Sequence, residues 1–303
     1  MLEEINHIRY VYHYTSLETL FAILENYRKS KDKKGLVFRA SNIFKVNDPT
    51  EMKRGYEVVK TLLPQYEIKR VTPEIMRLSE VYQTEEWEKQ CKEDYFESVC
   101  GTNIEIGTVP YVISFSAKKD YLPMWSLYGN RGKGVCLKFD IEKLIGQEHV
   151  RIGFVAYNMN TIHRSFKENI SFLYDLIMRP YISEGKPLTI EKKISELSTI
   201  CFDISPFIKY KDYQYEKEFR LVGYKNYGII DSNDFSIDPM LLYPSKIEVD
   251  PYIEIPIPAC SLTGIILGPC MDVKVMRHVI KNEIHSCNLK MRVSKSNIPF
   301  RLK

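Results

Sequence analysis

Short segments rich in β-branched and aromatic residues recur along this chain, separated by helical or loop stretches. Such a composition is typical of β-strands. The segments are residues 8–14, 36–40, 108–116, 135–139, 152–157, 213–221, 247–255, 262–267 and 289–293. Between them lie stretches with helical periodicity, the longest at about 51–105 and 159–205. Strands scattered singly among helices predict an α+β fold, in which we expect the two long helical stretches to be insertions.

The 303 residues show no internal repeat, low-complexity segment or linker, so we expect one domain. The net charge of +4 permits an anionic ligand or nucleic acid without requiring either. Residues 1–6 are acidic where a signal peptide is basic and then apolar. No apolar run approaches the roughly 20 residues that a membrane span requires. We therefore expect a cytoplasmic protein with no membrane partner.

Seven cysteines are scattered along the chain without a C-x-x-C pair. An odd number with this distribution predicts reduced thiols and not a disulfide framework. The six histidines do not complete a zinc-ligand spacing with them, so we expect no metal. The glycines of residues 129–134 are too few and wrongly spaced for a P-loop or a dinucleotide fingerprint.

The first predicted strand ends in His13, Tyr14 and Thr15, directly before a predicted helix. Thr15 and Glu18 have the spacing of a capping box, which makes Thr15 the expected N-cap. His13 then precedes a helix N-terminus, where phosphate groups are favoured. A histidine hydrogen-bonded within the sheet explains the same position equally well.

A second helix start is predicted at Asp48, Pro49, Thr50 and Glu51. Asp48 suits the N-cap, Pro49 the first helical position and Glu51 the first turn, so capping accounts for both acids. Asn47 is not needed for capping, which leaves it for a turn or for a binding site.

Two pairs of candidate side chains lie in the middle of the chain. Ser114 and Ser116 alternate with apolar residues in a predicted strand, so both hydroxyls share one face. Residues 121–129 predict a short helix that ends at Gly129. Trp125 and Tyr128 project to the same side of it and either pack in a core or stack on a ligand ring.

Residues 213–221 predict a strand that brings Glu216 and Glu218 to one face together with Arg220. Two neighbouring carboxylates raise the pKa of one of them, which suits acid–base catalysis. The segment also fits a solvated sheet edge, on which Glu216, Glu218, Lys217 and Arg220 form ordinary ion pairs. On this segment alone the solvated edge is the better interpretation, so the rest of the chain has to decide.

In chain order, His13-Tyr14-Thr15, Ser114-Phe115-Ser116 and Glu216-Lys217-Glu218 resemble the three motifs of ADP-ribosyltransferases. In that family a first strand supplies a His or Arg, a middle strand a Ser- or Tyr-containing element, and a late strand a Glu, often as Glu-x-Glu. The resemblance implies mixed or antiparallel split β-sheets and NAD as co-substrate. The histidine suits one branch of the family and the other two motifs suit another, which leaves the acceptor, protein or nucleic acid, unassigned.

The chain also resembles a bacterial family of uncharacterised proteins over nearly its full length. The shared motifs are Tyr12-His13-Tyr14-Thr15, Asn47-Asp48-Pro49-Thr50-Glu51, Ser114-Phe115-Ser116, Met124-Trp125-Ser126-Leu127-Tyr128, Lys209-Tyr210, Glu216-Lys217-Glu218-Phe219-Arg220 and Leu267-Gly268-Pro269. This resemblance implies a role as a toxin or phage-defence effector.

The transferase resemblance implies cleavage of the nicotinamide–ribose bond through an oxocarbenium-like transition state. Glu218 would stabilise the developing cation and bind a ribose hydroxyl, while Glu216 would orient the acceptor or act as a base. His13 would bind the adenosine ribose or a phosphate, and Ser114 would brace the ribose. Tyr128 or Trp125 would stack on the nicotinamide. The other predicted cofactor-binding residues are Tyr14, Thr15, Asn47 and Ser116.

Two other functions remain open. In the first, Asp48, Glu51, Glu216 and Glu218 converge on Mg²⁺ in a phosphodiester hydrolase. In the second, the domain senses or binds a nucleotide without turnover. Hydrolysis of NAD, with water as the acceptor, belongs to the transferase hypothesis, because the sequence does not distinguish it from transfer.

Overall fold

The computed structural model describes residues 8–30, 35–48, 50–69, 77–86, 107–145, 150–164, 174–175, 178–181, 187–227, 241–244 and 249–300. Its strands are β1 (Tyr10–Thr15), β2 (Leu36–Asn42), β3 (Gly107–Ser116), β4 (Val135–Asp140), β5 (Val150–Phe154), β6 (Glu218–Tyr227), β7 (Leu241–Pro244), β8 (Val249–Ile257), β9 (Leu262–Leu267) and β10 (Arg292–Lys295). Its main helices are α1 (Leu17–Lys29), α2 (Glu51–Lys69), α3 (Leu122–Leu127), α4 (Ile190–Ile204) and α5 (Val273–Ser286). The predicted α+β class is confirmed.

The strands form a branched, mixed sheet with β3 at the branch. Strand β6 pairs with β3 along the whole length of β3, and β5 pairs with β6. The opposite edge of β3 is shared, since β1 pairs with it only at Ser116 and β2 only at Tyr111 and Val112. From there β4, β9 and β10 extend the sheet beyond β1, and β8 and β7 extend it beyond β2. Strands β1 and β2 thus diverge from β3 around Ser114, which opens a split in the sheet.

Two apolar cores hold the elements in place. In the main core, α1 and α5 pack against one face of the sheet through residues such as Leu20, Leu24 and Ile280. In the second core, α2 and α4 pack through residues such as Leu63 and Leu197. Both α2 and α4 fall within the stretches predicted to be helical insertions. In the remainder of the first stretch, Leu78–Gln83 form a 3₁₀ helix, and residues 70–76 and 87–105 lie outside the described residues.

The cap of α1 differs from the prediction. Ser16, and not Thr15, is the N-cap, since its Oγ accepts the backbone N–H of Thr19 at 3.1 Å. Thr15 still belongs to β1, where it pairs with Val135 of β4. The strand ladder extends one residue further than the capping motif suggested, so the helix starts one residue later.

The strand predicted over residues 213–221 is wrong in its first half. Residues Lys211–Glu216 form a 3₁₀ helix, and Lys217 adopts the left-handed conformation with φ 46° and ψ 53° before β6 begins at Glu218. The turn is fixed by distant contacts. The hydroxyl of Ser116 donates to the backbone carbonyl of Glu216 at 2.5 Å, and the N–H of Ala117 donates to that of Lys217 at 2.8 Å.

The described part of the chain contains five cysteines, Cys136, Cys201, Cys260, Cys270 and Cys287, which form no disulfide with one another. Cys91 and Cys100 lie outside it. No helix among the described residues has both the length and the apolar character needed to cross a membrane.

Candidate active site in the split of the sheet

A cavity of about 280 Å³ opens where β1 and β2 diverge from β3. The elements around it are β1, β2, β3, β6 and α3, together with the segments around residues 45–51 and 209–216. The polar and charged side chains that line it are Tyr12, His13, Tyr14, Arg39, Ser41, Lys45, Asn47, Glu51, Ser114, Tyr128, Lys209, Glu216, Glu218 and Arg220. The cavity therefore joins most of the motifs singled out in the sequence.

A buried cluster of five charged side chains forms one wall of the cavity. Each is at most 5% exposed: the acids Glu51, Glu216 and Glu218 and the cations Lys209 and Arg220. The Nζ of Lys209 lies 3.0, 2.8 and 2.9 Å from a carboxylate oxygen of Glu51, Glu216 and Glu218 respectively. Arg220 donates from Nε to Glu218 and from a terminal nitrogen to Glu51, both at 2.7 Å. The formal charge of the cluster is −1.

Strand geometry places two members of this cluster. Glu218 and Arg220 are two residues apart in β6, so their side chains share a face. Pairing with β3 puts Arg220 opposite Ser114 and Glu218 opposite Ser116. The alternation predicted from sequence is thus correct for Glu218 and Arg220, while Glu216 reaches the cluster from the preceding 3₁₀ helix.

The charge state of Glu218 is set by its cationic partners. Burial alone raises the pKa of this carboxyl, but the charges of Arg220 and Lys209 and hydrogen bonds from Arg220 and Ser114 outweigh it and lower the pKa to about 2. Glu218 is consequently ionised at neutral pH and is not a proton donor there. Burial also lowers the pKa of Lys209, but the three carboxylates around it raise that pKa above its ordinary value.

Tyr128 links the cluster to Asn47 across the cavity. Its hydroxyl donates to Glu216 Oε1 at 2.6 Å and accepts from Asn47 Nδ2 at 3.1 Å. Burial and the charge of Glu216 raise the pKa of the Tyr128 phenol, so it stays a neutral donor. Asn47 and Tyr128 both line the cavity, and their contact with a ligand stays a prediction.

His13 bridges the split by contacting the backbone of β3. Its Nδ1 lies 2.8 Å from the carbonyl oxygen of Ser114, which only accepts, so Nδ1 carries the proton. Burial lowers the pKa of His13, which favours the neutral ring. The neutral ring with Nδ1 protonated leaves Nε2 as an acceptor. The ring is packed edge-on against Phe38 and Phe115, with centroid distances of 5.4 and 5.7 Å.

Three predicted ligand contacts do not line the cavity. Trp125 is fully buried, donates from Nε1 to Asp120 at 2.8 Å and packs edge-on against Tyr14, so the prediction that it stacks on a ligand is wrong. Ser116 is buried and holds the turn at Glu216, as described above. Thr15 is buried in β1. All three are structural residues whose side chains serve the fold.

Tyr14 both lines the cavity and has a structural role. It lines the cavity, but its hydroxyl donates to the carbonyl of Lys118 at 2.7 Å and accepts from the N–H of Tyr121 at 3.0 Å. The hydroxyl thus ties β1 to the loop after β3.

Sequence reasoning assigned no site role to Lys209 and Arg220, and it attributed Glu51 to capping except in the Mg²⁺ alternative. Capping does apply to Asp48, whose Oδ1 accepts the N–H of Thr50 at 2.8 Å. Glu51 instead binds Arg220 and Lys209. One sequence feature could have identified Lys209 and Arg220 as site residues, namely the motif that combines Lys209 with the Glu-x-Glu-x-Arg segment. A lysine and an arginine that accompany two acids indicate that these charges pair with one another.

The proposed Mg²⁺ site receives no geometric support. Glu51, Glu216 and Glu218 are occupied by Lys209 and Arg220, and Asp48 does not line the cavity. Within the described ranges, no group of three or more His, Cys, Asp or Glu side chains is placed to hold a metal ion.

Comparison with models of protein families gives a match. The family model described as "Protein of unknown function (DUF2971)" matches residues 124–221, a range that contains Tyr128, Lys209, Glu216, Glu218 and Arg220. Neither the curated proteins nor the solved structures yield a match. The chain is thus similar, across the part that carries most of the charge cluster, to an uncharacterised protein family.

Proposed function

We propose that the cavity binds NAD and cleaves its nicotinamide–ribose bond, with transfer of ADP-ribose to an acceptor. The observation that carries this proposal is the meeting of His13, Ser114 and Glu218 in one cavity. They come from three different strands, β1, β3 and β6, and they occur in the chain in the order that the transferase motifs require. Each of the three is unremarkable by itself, and their convergence is what supports a common function.

The charge cluster suits a reaction in which positive charge develops on the substrate. Cleavage of the nicotinamide–ribose bond builds an oxocarbenium-like centre. Three carboxylates and two cations leave a formal charge of −1 beside the cavity, and all five groups are already oriented by one another. Such preorganised charge needs no rearrangement during the reaction, which is the usual source of electrostatic stabilisation in enzymes.

Two cations that line the cavity outside the charge cluster suit the diphosphate. They are Arg39 of β2 and Lys45, and cationic side chains bind phosphate oxygens well. A volume of about 280 Å³ is small for a whole dinucleotide, so the nicotinamide and its ribose would fill the cavity and the adenosine would lie outside it. His13 Nε2 would then accept a hydrogen bond from a hydroxyl of the substrate.

The test is incubation of the full chain with NAD labelled in its ADP-ribose part, in the presence of cell lysate. Free nicotinamide and label transferred to macromolecules are followed together. Ser114→Ala is the informative variant, because Ser114 is exposed in the cavity and hydrogen-bonds Glu218 without being part of the ion cluster. We expect nicotinamide release to fall on the order of tenfold to a hundredfold.

Ser126→Ala is the matched control, since Ser126 is exposed on α3 and its hydroxyl donates to the backbone of the same helix. We expect its rate to stay close to that of the unmodified chain. Equal rates in both serine variants, or no release of nicotinamide by the unmodified chain, would count against the proposal.

One observation favours a second candidate, a module that binds NAD or ADP-ribose without turnover. Both carboxylate oxygens of Glu218 already accept hydrogen bonds, Oε1 from Arg220 and Oε2 from Lys209 and Arg220. A carboxylate so fully engaged offers a substrate less charge than a free one. Saturable NAD binding without released nicotinamide would identify this function in the same experiment.

A further inference from the structure

A second cavity, of about 470 Å³, lies along β4, β9 and β10, away from the split. It is lined by five cationic side chains and one acidic one: Lys119, Lys138, Arg277, Arg292, Lys295 and Asp120. None of its lining residues belongs to the first cavity. The excess of positive charge in one concave space is the feature to be explained.

The strand register creates the centre of this cavity. Gly264 of β9 pairs with Lys138 of β4 on one side and with Arg292 of β10 on the other. Paired residues of adjacent strands project to the same face, so the two cations flank a position without a side chain. Their Cα atoms are separated by two strand spacings, roughly 10 Å. A side chain at Gly264 would begin 3.3 Å from the carbonyl oxygen of Arg292 and 3.8 Å from Lys138 Cβ.

The cations of this cavity have no anionic partner in the described part of the chain. None of the five forms an ion pair there. Asp120 is already engaged, because its oxygens accept from Trp125 Nε1 at 2.8 Å, Ser296 Oγ at 2.6 Å and the N–H of Asn297 at 2.8 Å. The Nε of Arg277 is buried without a hydrogen-bond partner among these residues.

The positive side chains also oppose one another. Burial and the charges of Lys119, Arg9 and Arg292 lower the pKa of Lys138, while the charge of Asp140 acts in the other direction. The Nζ of Lys138 lies 3.4 Å from the centroid of the Tyr10 ring, a cation–π contact with the neighbouring strand β1. Like charges kept together without a partner are stabilised by an anion placed between them.

We propose that this second cavity binds a phosphate-bearing ligand, whose phosphate oxygens lie over Gly264 between Lys138 and Arg292. Phosphate carries several acceptor oxygens and suits guanidinium and ammonium donors that approach from different sides. The row of three residues provides donors on two sides and open space between them. The same phosphate chemistry occurs in a free polyphosphate and in a nucleic-acid backbone, and the experiment distinguishes these sources.

The test measures binding of tripolyphosphate by calorimetry and of a labelled single-stranded oligonucleotide by fluorescence anisotropy, both with the full chain. At about 50 mM salt we expect at least one probe to bind, and more weakly at about 200 mM. Lys138→Gln and Arg292→Gln should each weaken that binding about tenfold. For the oligonucleotide, each should also reduce the slope of affinity against salt by about 1. Arg292 is exposed, so its variant retains the fold even if Lys138→Gln does not.

A control variant locates the binding. Lys53→Gln removes the same charge from the exposed surface of α2. It should bind within about twofold of the unmodified chain, since surface charge away from the contact contributes little. Tighter binding of the oligonucleotide identifies a nucleic-acid backbone as the ligand, and tighter binding of tripolyphosphate identifies a small polyphosphate. Absence of binding by both probes, or a loss as large in Lys53→Gln, overturns the proposal.

Discussion

Lys209 is the residue on which the buried charge cluster depends. An ammonium group has three N–H donors, and the one of Lys209 contacts three carboxylates within 3.0 Å. Buried ions are costly to desolvate and are tolerated only when each is well paired. Lys209 therefore compensates more than one buried charge at once, and its loss has consequences for stability as well as for any ligand.

We expect Lys209→Met to lower the free energy of unfolding by about 3–5 kcal/mol, because the cluster then has three buried carboxylates and one cation, Arg220, which pairs with Glu51 and Glu218. Urea denaturation measures the change. The matched control is Lys192→Met, which breaks a pair with Glu196 at 2.8 Å in which Lys192 is 46% exposed. That change should cost less than about 1 kcal/mol. Similar losses in the two variants would show that the cluster contributes no more than a surface ion pair.

Glu218 makes stability depend on acid pH. Its pKa in the folded chain is about 2, below the ordinary value of 4.5. A lowered pKa stabilises the fold above the ordinary value, and this contribution is lost as pH falls from about 5 towards 2. The contribution is on the order of 3 kcal/mol. Unfolding followed by urea at several pH values should show a flatter acid slope for Glu218→Gln, whereas Glu142→Gln, at an exposed position, should keep the original slope.

At the scale of elements, the joint between the 3₁₀ helix and β6 shapes the site. Left-handed backbone at Lys217 separates Glu216 from the strand, and both carboxylates still reach Lys209, at 2.8 and 2.9 Å. In an extended strand the two side chains would stand side by side, roughly 7 Å apart along one face. The turn instead lets them approach one ammonium group from two directions.

This joint predicts opposite effects for two substitutions at Lys217. The left-handed conformation costs an ordinary residue about 1–2 kcal/mol, and glycine avoids this cost. Lys217→Gly should therefore raise the free energy of unfolding by up to about 1 kcal/mol, and Lys217→Val should lower it by at least about 1 kcal/mol. Lys211→Gly, in the first position of the 3₁₀ helix, is the control and should not stabilise. A stabilising valine variant would contradict the left-handed turn.

Across the whole molecule, the charge cluster joins the helical layer to the sheet. Glu51 begins α2, and Arg220 belongs to β6. One turn after Glu51, Gly55 is buried against Ser205, so closely that an added Cβ would collide with the backbone of Ser205. The close approach of α2 to residues 205–207 positions Glu51 for its contact with Arg220.

We expect Gly55→Ala to destabilise the fold by about 1–3 kcal/mol through overpacking, although alanine favours helices. Displacement of Glu51 should also weaken NAD binding or cleavage. Unfolding and nicotinamide release are measured on the same samples. Lys53→Ala, on the exposed side of α2, should leave both nearly unchanged. Unaltered stability in Gly55→Ala would show that α2 has room to move away from Ser205.

The predictions from sequence succeed where neighbours along the chain decide the structure. The composition of short segments placed β3, β4 and β9 closely, and the last of these runs from Leu262 to Leu267 as predicted. They fail where contacts with distant residues override a local signal. Thr15 had a capping motif, but the ladder with Val135 kept it in the strand. Residues 213–216 had strand-like composition, but hydrogen bonds from Ser116 and Ala117 hold the turn that follows.

The sequence by itself determined the α+β class and singled out His13, Ser114, Tyr128 and Glu218, because alternation and spacing are properties of short segments. Only the tertiary structure decided what these residues face. It brought Glu51 to Arg220 across 169 residues, paired Lys209 with three carboxylates and buried Trp125 away from the cavity. The physical reason is that ion pairing and burial depend on which distant segments meet, and local patterns do not contain that information.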